Sequence, residues 1–167
     1  KRIGNVLGIF KAYCTRVGSG PFPTELFDDD GQKLRDSGHE YGATTGRPRR
    51  CGWLDLVALK YSIMINGVTE LIMTKSDVLD DFDEIKITTS YNTTDGENPK
   101  VPYSYNDIKN PVFKTFKGWK KDITGIKDKS EMPLELYNYI KLKEKETGVP
   151  VTIVSVSPNR NQKIKIK

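Results

Sequence analysis

Asp55-Leu-Val-Ala-Leu-Lys-Tyr-Ser-Ile-Met-Ile-Asn-Gly-Val-Thr-Glu-Leu-Ile-Met-Thr-Lys-Ser-Asp77 is the stretch from which the fold follows. Leu56, Val57, Leu59, Ile63 and Met64 recur at helical spacing, Asp55 stands where an N-cap belongs, and Asn66-Gly67 is a C-terminal stop. Val68–Thr74 is then an apolar run short enough for a buried strand. Helix followed by strand predicts a parallel α/β arrangement, in which ligands gather beyond the carboxyl ends of the strands. Here that end carries Thr74-Lys75-Ser76-Asp77.

The same order recurs near the end of the chain. Pro133–Thr147 reads as an amphipathic helix with Pro133 near its first turn, Gly148 after its last, and a Lys/Glu run as its wet face. Val151–Ser155 follows as a buried strand leading into Val156-Ser157-Pro158-Asn159-Arg160. Elsewhere, Ile9–Val17 is rich in β-formers and reads as one strand, closed by Gly18, Gly20, Pro21 and Pro23. Asp28–Arg35 reads as a short polar helix closing at Ser37-Gly38. Glu84–Tyr91 alternates as a strand, Asp95-Gly96 offers a turn, and Val101–Tyr105 would return as an exposed hairpin arm. Val112–Phe116 leads to Gly118-Trp119, where Trp119 reads as a packing residue. The sole histidine, His39, receives no role.

Upstream of Asp55 lies Gly42-Ala-Thr-Thr-Gly-Arg-Pro-Arg-Arg-Cys-Gly-Trp-Leu-Asp55. Gly42 and Gly46 permit a tight turn and close backbone approach, and Thr44 and Thr45 add hydroxyls. Arg47, Arg49 and Arg50 are planar forks suited to carboxylate or phosphate, while Pro48 stiffens the segment. In an extended segment Arg47 and Arg49 share a side and Arg50 points away. Like charges without a counter-ion predict a loop that is mobile until a ligand arrives.

The chain has 167 residues and a formal charge of +5 from 27 basic and 22 acidic side chains. That length can bury roughly two thirds of the unfolded surface as one unit. The two cysteines, Cys14 and Cys51, sit in no metal-ligand spacing and read as free thiols of a reducing compartment. No apolar run reaches membrane-spanning length, which favours a cytoplasmic protein with no membrane partner. There is no Gly-x-x-x-x-Gly-Lys-Ser/Thr phosphate loop.

Taken together, these motifs resemble the adenylosuccinate synthetase family from about Lys11 to Arg160. Gly42–Asp55 is similar to its signature loop, Thr74-Lys-Ser-Asp-Val-Leu-Asp80 to its Thr-Lys-x-Asp-Val-Leu-Asp element, and Arg16–Leu26 to a turn bordering its IMP pocket. Thr-Lys-Ser-Asp also resembles the guanine element of G proteins: a carboxylate at Asp77 can accept from both N1–H and the 2-amino group of guanine, a donor pair that adenine lacks. The Lys75 stem can lie along the ring.

The resemblance implies the carboxyl-terminal part of such an enzyme over residues 1–167. The complete fold would be a P-loop-NTPase-related α/β architecture, its mostly parallel sheet flanked by helices and carrying an antiparallel hairpin insertion. It implies L-aspartate and IMP contacts from Ala43, Thr44, Thr45, Gly46, Arg47, Pro48 and Arg49, with Arg47 also reaching the IMP ribose. GTP contacts would come from Arg49, Lys75, Ser76, Asp77, Ser155, Val156 and Ser157. Ser157 stands where the family has glycine, and Asn159 where it has aspartate. The phosphate loop, the catalytic aspartate and histidine and the Mg²⁺ ligand are implied upstream, so this chain holds no catalytic residue and no metal and alone would be inactive. GTP is implied as co-substrate, and a homodimer as the assembly. The competing reading is a basic, non-enzymatic module that binds nucleotide or nucleic acid through Arg47, Arg49 and Arg50, with Phe116 and Trp119 stacking among lysines.

Overall fold

A computed structural model describes residues 4–166. The expected span of 1–167 therefore includes residues 1–3 and 167, which lie outside the described residues. In chain order the elements are β1 (Leu7–Lys11), β2 (Cys14–Arg16), α1 (Asp29–Ser37), β3 (Arg50–Gly52), β4 (Leu54–Asp55), α2 (Leu56–Asn66), β5 (Glu70–Thr74), β6 (Glu84–Thr93), β7 (Gly96–Asn98), β8 (Ile108–Lys117), α3 (Leu134–Thr147), β9 (Val151–Ser155) and β10 (Lys163–Lys165). They fall into two compact units. One holds the described residues up to Ala12, Leu59–Ile85 and those from Phe116 onward; the other holds Tyr13–Ala58 and Lys86–Thr115.

The first unit is built on a sheet of order β1-β5-β9-β10. β1, β5 and β9 are parallel and β10 returns antiparallel to β9. This is the mostly parallel sheet that the helix-then-strand pattern predicts. Leu71, Met73, Val151 and Val154 are fully buried, together with Leu136, Tyr139 and Ile140 of α3. Burying a side chain of this size contributes about 1.5–3 kcal/mol. Gly148, with φ of 69°, ends α3 in a left-handed turn whose N–H bonds the Glu144 carbonyl. Tyr139 is tied by its hydroxyl to the Ala12 carbonyl at 2.6 Å and packs edge-on against Phe116 and Trp119.

Three expectations change here. The run Ile9–Val17 is not one strand: β1 ends at Lys11 and β2 begins at Cys14 in a different sheet. Ala12 N–H bonds the Thr74 carbonyl at the close of the β1–β5 pairing, and Cys14 pairs with Gly52. The wet face of α3 loses one member, because Lys143 is wholly buried. Finally, Phe116 and Trp119 are no stacking platform. Trp119 is 6% exposed, and its indole N–H donates to Asp80 at 2.6 Å. The packing role read for Trp119 holds, with that polar tie added.

The second unit contains a two-stranded β2–β3 sheet and a sheet in which β4 runs parallel to β6 while β7 and β8 also pair with β6. The hairpin returns immediately, with Thr93 facing Gly96 and Tyr91 facing Asn98, so the return arm is Gly96–Asn98 and not Val101–Tyr105. α1 is capped by Asp28, whose carboxylate accepts from Gly31 N–H at 3.1 Å, and it closes at Gly38. Asp55 behaves as the expected cap: its Oδ1 accepts from Ala58 N–H at 3.0 Å. Its Oδ2 accepts from the Tyr91 hydroxyl at 2.6 Å. Burial raises the Asp55 carboxyl above its ordinary range, against the opposing pull of Tyr91. On α2 the stripe is narrower than its spacing suggests, since Leu56, Val57 and Ile63 are buried but Met64 is exposed.

Candidate functional site

The loop Gly42–Arg50 closes on itself. Gly42 N–H bonds the Arg47 carbonyl at 2.8 Å, Gly46 N–H bonds the Gly42 carbonyl at 2.9 Å, and Tyr41 bridges to Pro48. Gly46 sits at φ of 64°, which a glycine adopts without strain. The hydroxyl of Thr45 accepts from Arg47 N–H at 3.3 Å. Beyond this hairpin the three arginines part company. Arg49 donates to Glu40 at 2.8 Å, and Glu40, fully buried, also accepts from the Tyr13 hydroxyl at 2.6 Å. Arg50 grips Glu25 with two nitrogens and donates to the carbonyls of Gly18 and Gly20 at 3.0 and 2.8 Å. Arg47 is exposed, and its guanidinium makes no bond among the described residues.

This corrects the expectation of three arginines awaiting a counter-ion. Arg49 and Arg50 already have carboxylates; Arg47 is the uncommitted cation. Glu25 and Glu40 escaped the sequence reading because they lie 25 and 9 residues from their arginines, beyond any local pattern. Arg16, Ser19, Thr45, Arg47 and Arg49 line an open cleft of about 590 Å³ in this unit. Its positive lining and loop hydroxyls suit a small anion such as a carboxylate or phosphate.

In the first unit, the ends of β5 and β9 present a second constellation. Met73 pairs with Val154, so Thr74–Asp77 and Ser155–Ser157 leave neighbouring strand ends, and Ser76 N–H bonds the Ser155 carbonyl at 3.4 Å. Lys75 turns the chain through φ of 57°, a left-handed conformation that costs a non-glycine residue about 1–3 kcal/mol and gathers at functional sites. Directly after it, Ser76 Oγ and Asp77 Oδ1 are buried with no hydrogen-bond partner among the described residues, as are Thr24 Oγ1 and Thr88 Oγ1 elsewhere. Most buried polar groups are paired, so two adjacent unpartnered oxygens offer acceptors to a ligand or water. Burial raises the Asp77 carboxyl, with the Lys75 ammonium opposing.

In the facing turn, Ser155 donates to the Ser157 carbonyl at 3.0 Å. Val156 N–H is engaged by the Gln162 carbonyl at 3.2 Å. Ser157 avoids the left-handed region, so the residue that replaces glycine here bears no strain. Asp80, three residues past Asp77, closes the Thr-Lys-x-Asp-Val-Leu-Asp element, which assigns it no role of its own. It accepts from Trp119 at 2.6 Å and from Ile123 N–H at 3.1 Å, and burial pushes its pKa up to about 6. It fastens this loop to Trp119.

Among the described residues no three His, Cys, Asp or Glu side chains come together as metal ligands would, and no helix is long and apolar enough to cross a membrane. Cys14 and Cys51 are free thiols.

Fold and loops define a mixed α/β protein with polar loops beyond the carboxyl ends of a parallel sheet and, in a separate unit, a cationic cleft. The family model for adenylosuccinate synthetase matches residues 1–164. An adenylosuccinate synthetase of Phocaeicola vulgatus is 60% identical over 139 residues, covering 83% of this chain and 33% of the relative. One from Aquifex aeolicus is 56% identical over 137 residues, covering 81% of the chain and 32% of the relative. A solved structure, of fully ligated adenylosuccinate synthetase from Plasmodium falciparum, superposes with a TM-score of 0.93 at 41% identity, covering 98% of this chain and 40% of that one. The chain belongs to the adenylosuccinate synthetase family, a family of ligases. It spans about a third of the length of the curated relatives it matches.

Proposed function

We infer that the chain is the carboxyl-terminal part of a P-loop-NTPase-related enzyme that joins IMP to L-aspartate with GTP, releasing adenylosuccinate, GDP and phosphate. The observation that carries this reading is the adjacent pair of partnerless buried oxygens, Ser76 Oγ and Asp77 Oδ1, at the end of β5. Asp77 accepts from N1–H and the 2-amino group of guanine, and Ser76 adds a hydroxyl. Lys75 lies along the ring, and Ser155, Val156 and Ser157 line the other side. Adenine, with no matching pair of donors, would leave the Asp77 carboxylate desolvated and unpaired, which is costly.

The cleft of the second unit binds the amino acid. Arg47, without a protein partner, pairs with an L-aspartate carboxylate and reaches the IMP ribose, while Ala43, Thr44, Thr45, Gly46 and Pro48 shape the loop around it. Arg49 keeps the remainder of its fork for GTP while one nitrogen holds Glu40. In the reaction, the GTP γ-phosphoryl passes to the 6-oxygen of IMP, and the aspartate nitrogen then attacks carbon 6 and expels phosphate. The contribution of these residues is positioning and charge stabilisation. By family resemblance Mg²⁺, the phosphate loop and the catalytic acid and base belong to the rest of the enzyme, which works as a cytoplasmic homodimer. Expressed by itself, the chain is inactive.

The test is a chimera in which this chain replaces the matching segment of the Phocaeicola vulgatus relative. GTP-dependent adenylosuccinate formation is expected, and Arg47→Leu should raise the KM for aspartate at least tenfold while leaving that for GTP within twofold. Unchanged aspartate KM would remove Arg47 from the amino acid site. A salt-sensitive affinity for oligonucleotides together with no ligase activity would favour the basic binding module instead.

A further inference from the structure

A buried ion pair is poorly explained by stability, since the cost of taking two charges from water offsets much of their attraction. The second unit nevertheless holds a carboxylate of this kind. Glu40 is wholly buried, and it accepts from Arg49 Nη1 at 2.8 Å and from the Tyr13 hydroxyl at 2.6 Å. Arg49 is also fixed at its backbone: its N–H donates to the Glu40 carbonyl at 2.8 Å, and its carbonyl accepts from Arg35 Nε of α1 at 3.0 Å. With N–H, carbonyl and one guanidinium nitrogen engaged, the planar fork is oriented before any ligand arrives. The side chain nonetheless stays 35% exposed and lines the cleft. Two backbone features bring Glu40 and Tyr13 together. At Gly38, with φ of −81°, an added Cβ would meet the Tyr13 hydroxyl at 2.2 Å, so glycine here makes room for that hydroxyl and answers no need for a positive φ. His39 then turns the chain through φ of 50°, a left-handed conformation that is costly for a non-glycine residue and gathers at functional sites, and the next side chain, Glu40, enters the interior.

We propose that Glu40 and Tyr13 are positioning residues that hold the Arg49 fork at the cleft, so that its remaining nitrogens meet a phosphate oxygen of GTP already aimed. A guanidinium ordered in advance spares the ordering cost on binding and stabilises developing charge without having to reorganise. The inference rests on the reading that Arg49 contacts GTP, and adds the two residues that aim it. Arg47, on the same loop, lacks such a brace among the described residues, so its approach to an aspartate carboxylate does not depend on Glu40.

The experiment is steady-state kinetics of the chimeric ligase carrying Glu40→Gln, Tyr13→Phe and Arg49→Leu, singly and with each of the first two combined with the third. Glu40→Gln keeps the shape of the side chain and removes its charge, and should lower kcat/KM for GTP about tenfold to a hundredfold, as loss of a charge-assisted bond at a buried group does. Tyr13→Phe leaves the ion pair in place and should lower it about threefold to tenfold; it carries the test where Glu40→Gln does not fold. In both, the KM for aspartate should stay within about twofold, and neither should add to the loss already caused by Arg49→Leu. GTP kinetics untouched by Glu40→Gln and Tyr13→Phe, losses that multiply with that of Arg49→Leu, or an aspartate KM raised as much as that for GTP would overturn the proposal. Unchanged GTP kinetics in Arg49→Leu is a distinct result: it removes Arg49 from the GTP site, and the positioning roles fall with it.

Discussion

Arg50 and Arg47 stand three residues apart in one basic loop, yet the structure gives them opposite jobs, and Arg50→Lys against Arg47→Leu separates them. Arg50 makes four polar bonds: two to Glu25 and one each to the carbonyls of Gly18 and Gly20. A lysine keeps the charge but offers a single ammonium where a fork was engaged, so at least two of these bonds are lost. Hydrogen bonds to a charged group contribute about 1.5–3 kcal/mol each, and an exposed pair only about 0.2–1. The Arg50 side chain is 30% exposed and that of Glu25 11%, which places the cost between those limits. We expect a loss of about 2 kcal/mol for Arg50→Lys. For Arg47→Leu, which breaks no internal bond, the change stays within about 0.5 kcal/mol. Cys51 lies in this unit and is fully buried, whereas Cys14 is half-buried, so labelling of the Cys51 thiol during a urea titration reports the loss of structure around it. With a urea slope of about 2 kcal/mol per molar, the Arg50→Lys midpoint falls by about 1 M. Equal shifts for the two variants, or an Arg50→Lys shift below about 0.2 M, would refute the division of labour.

Two further substitutions probe buried charges in the first unit. Lys143 is wholly buried, donates among the described residues only to the Tyr139 carbonyl at 2.9 Å and lies over the Tyr139 ring; burial holds its pKa well below 10.5. Between its lowered folded value and 10.5 the unfolded chain therefore binds more protons than the folded one, so stability should rise with pH across that window. Lys143→Met should flatten that rise and add about 1–3 kcal/mol at neutral pH, read from denaturant midpoints; a destabilised Met variant would contradict it. Asp80, by contrast, has its pKa raised from 3.8 to about 6, so the folded state holds the extra proton. Its contribution is fully present below the lower value and is lost as pH rises through the higher one. Asp80→Asn removes this dependence and forfeits the acceptor for Ile123 N–H, costing roughly 1–3 kcal/mol. The advantage of the native residue should shrink between pH 4 and 7, and a constant difference would count against the assignment.

Much of this was legible because the signals are local. α2 and α3 announce themselves by apolar spacing and by Gly67 and Gly148 after their ends, and β5 and β9 by short apolar runs followed by polar loops. The loops Gly42–Arg49, Lys75–Asp77 and Ser155–Ser157 could be placed for the same reason, whereas the ligand roles proposed for their residues come from the family resemblance. What escaped depends on partners far along the chain. Ile9–Val17 is uniformly β-forming, and nothing in it marks Ala12 as the place where pairing passes from β5 to β3. The hairpin arm was placed too late because Gly96–Asn98 carries almost no apolar pattern, its register being held by Tyr91, Asn92 and Thr93. Lys143 sits in a charged run that composition assigns to solvent. The counter-ions Glu25 and Glu40 become visible only when α1 and β3 are folded, and with them the reason that Arg47 alone is uncommitted.

The most direct test of the account is the nucleotide preference of the chimeric ligase with Asp77→Asn. Asparagine replaces one acceptor by an amide donor, which no longer matches the N1–H and 2-amino pair of guanine but does match the N1–H and 2-oxo groups of xanthine. The account predicts that kcat/KM for GTP falls at least a hundredfold while activity with XTP rises. An Asp77→Asn enzyme that retains GTP preference and gains nothing with XTP would contradict the placement of guanine at the end of β5.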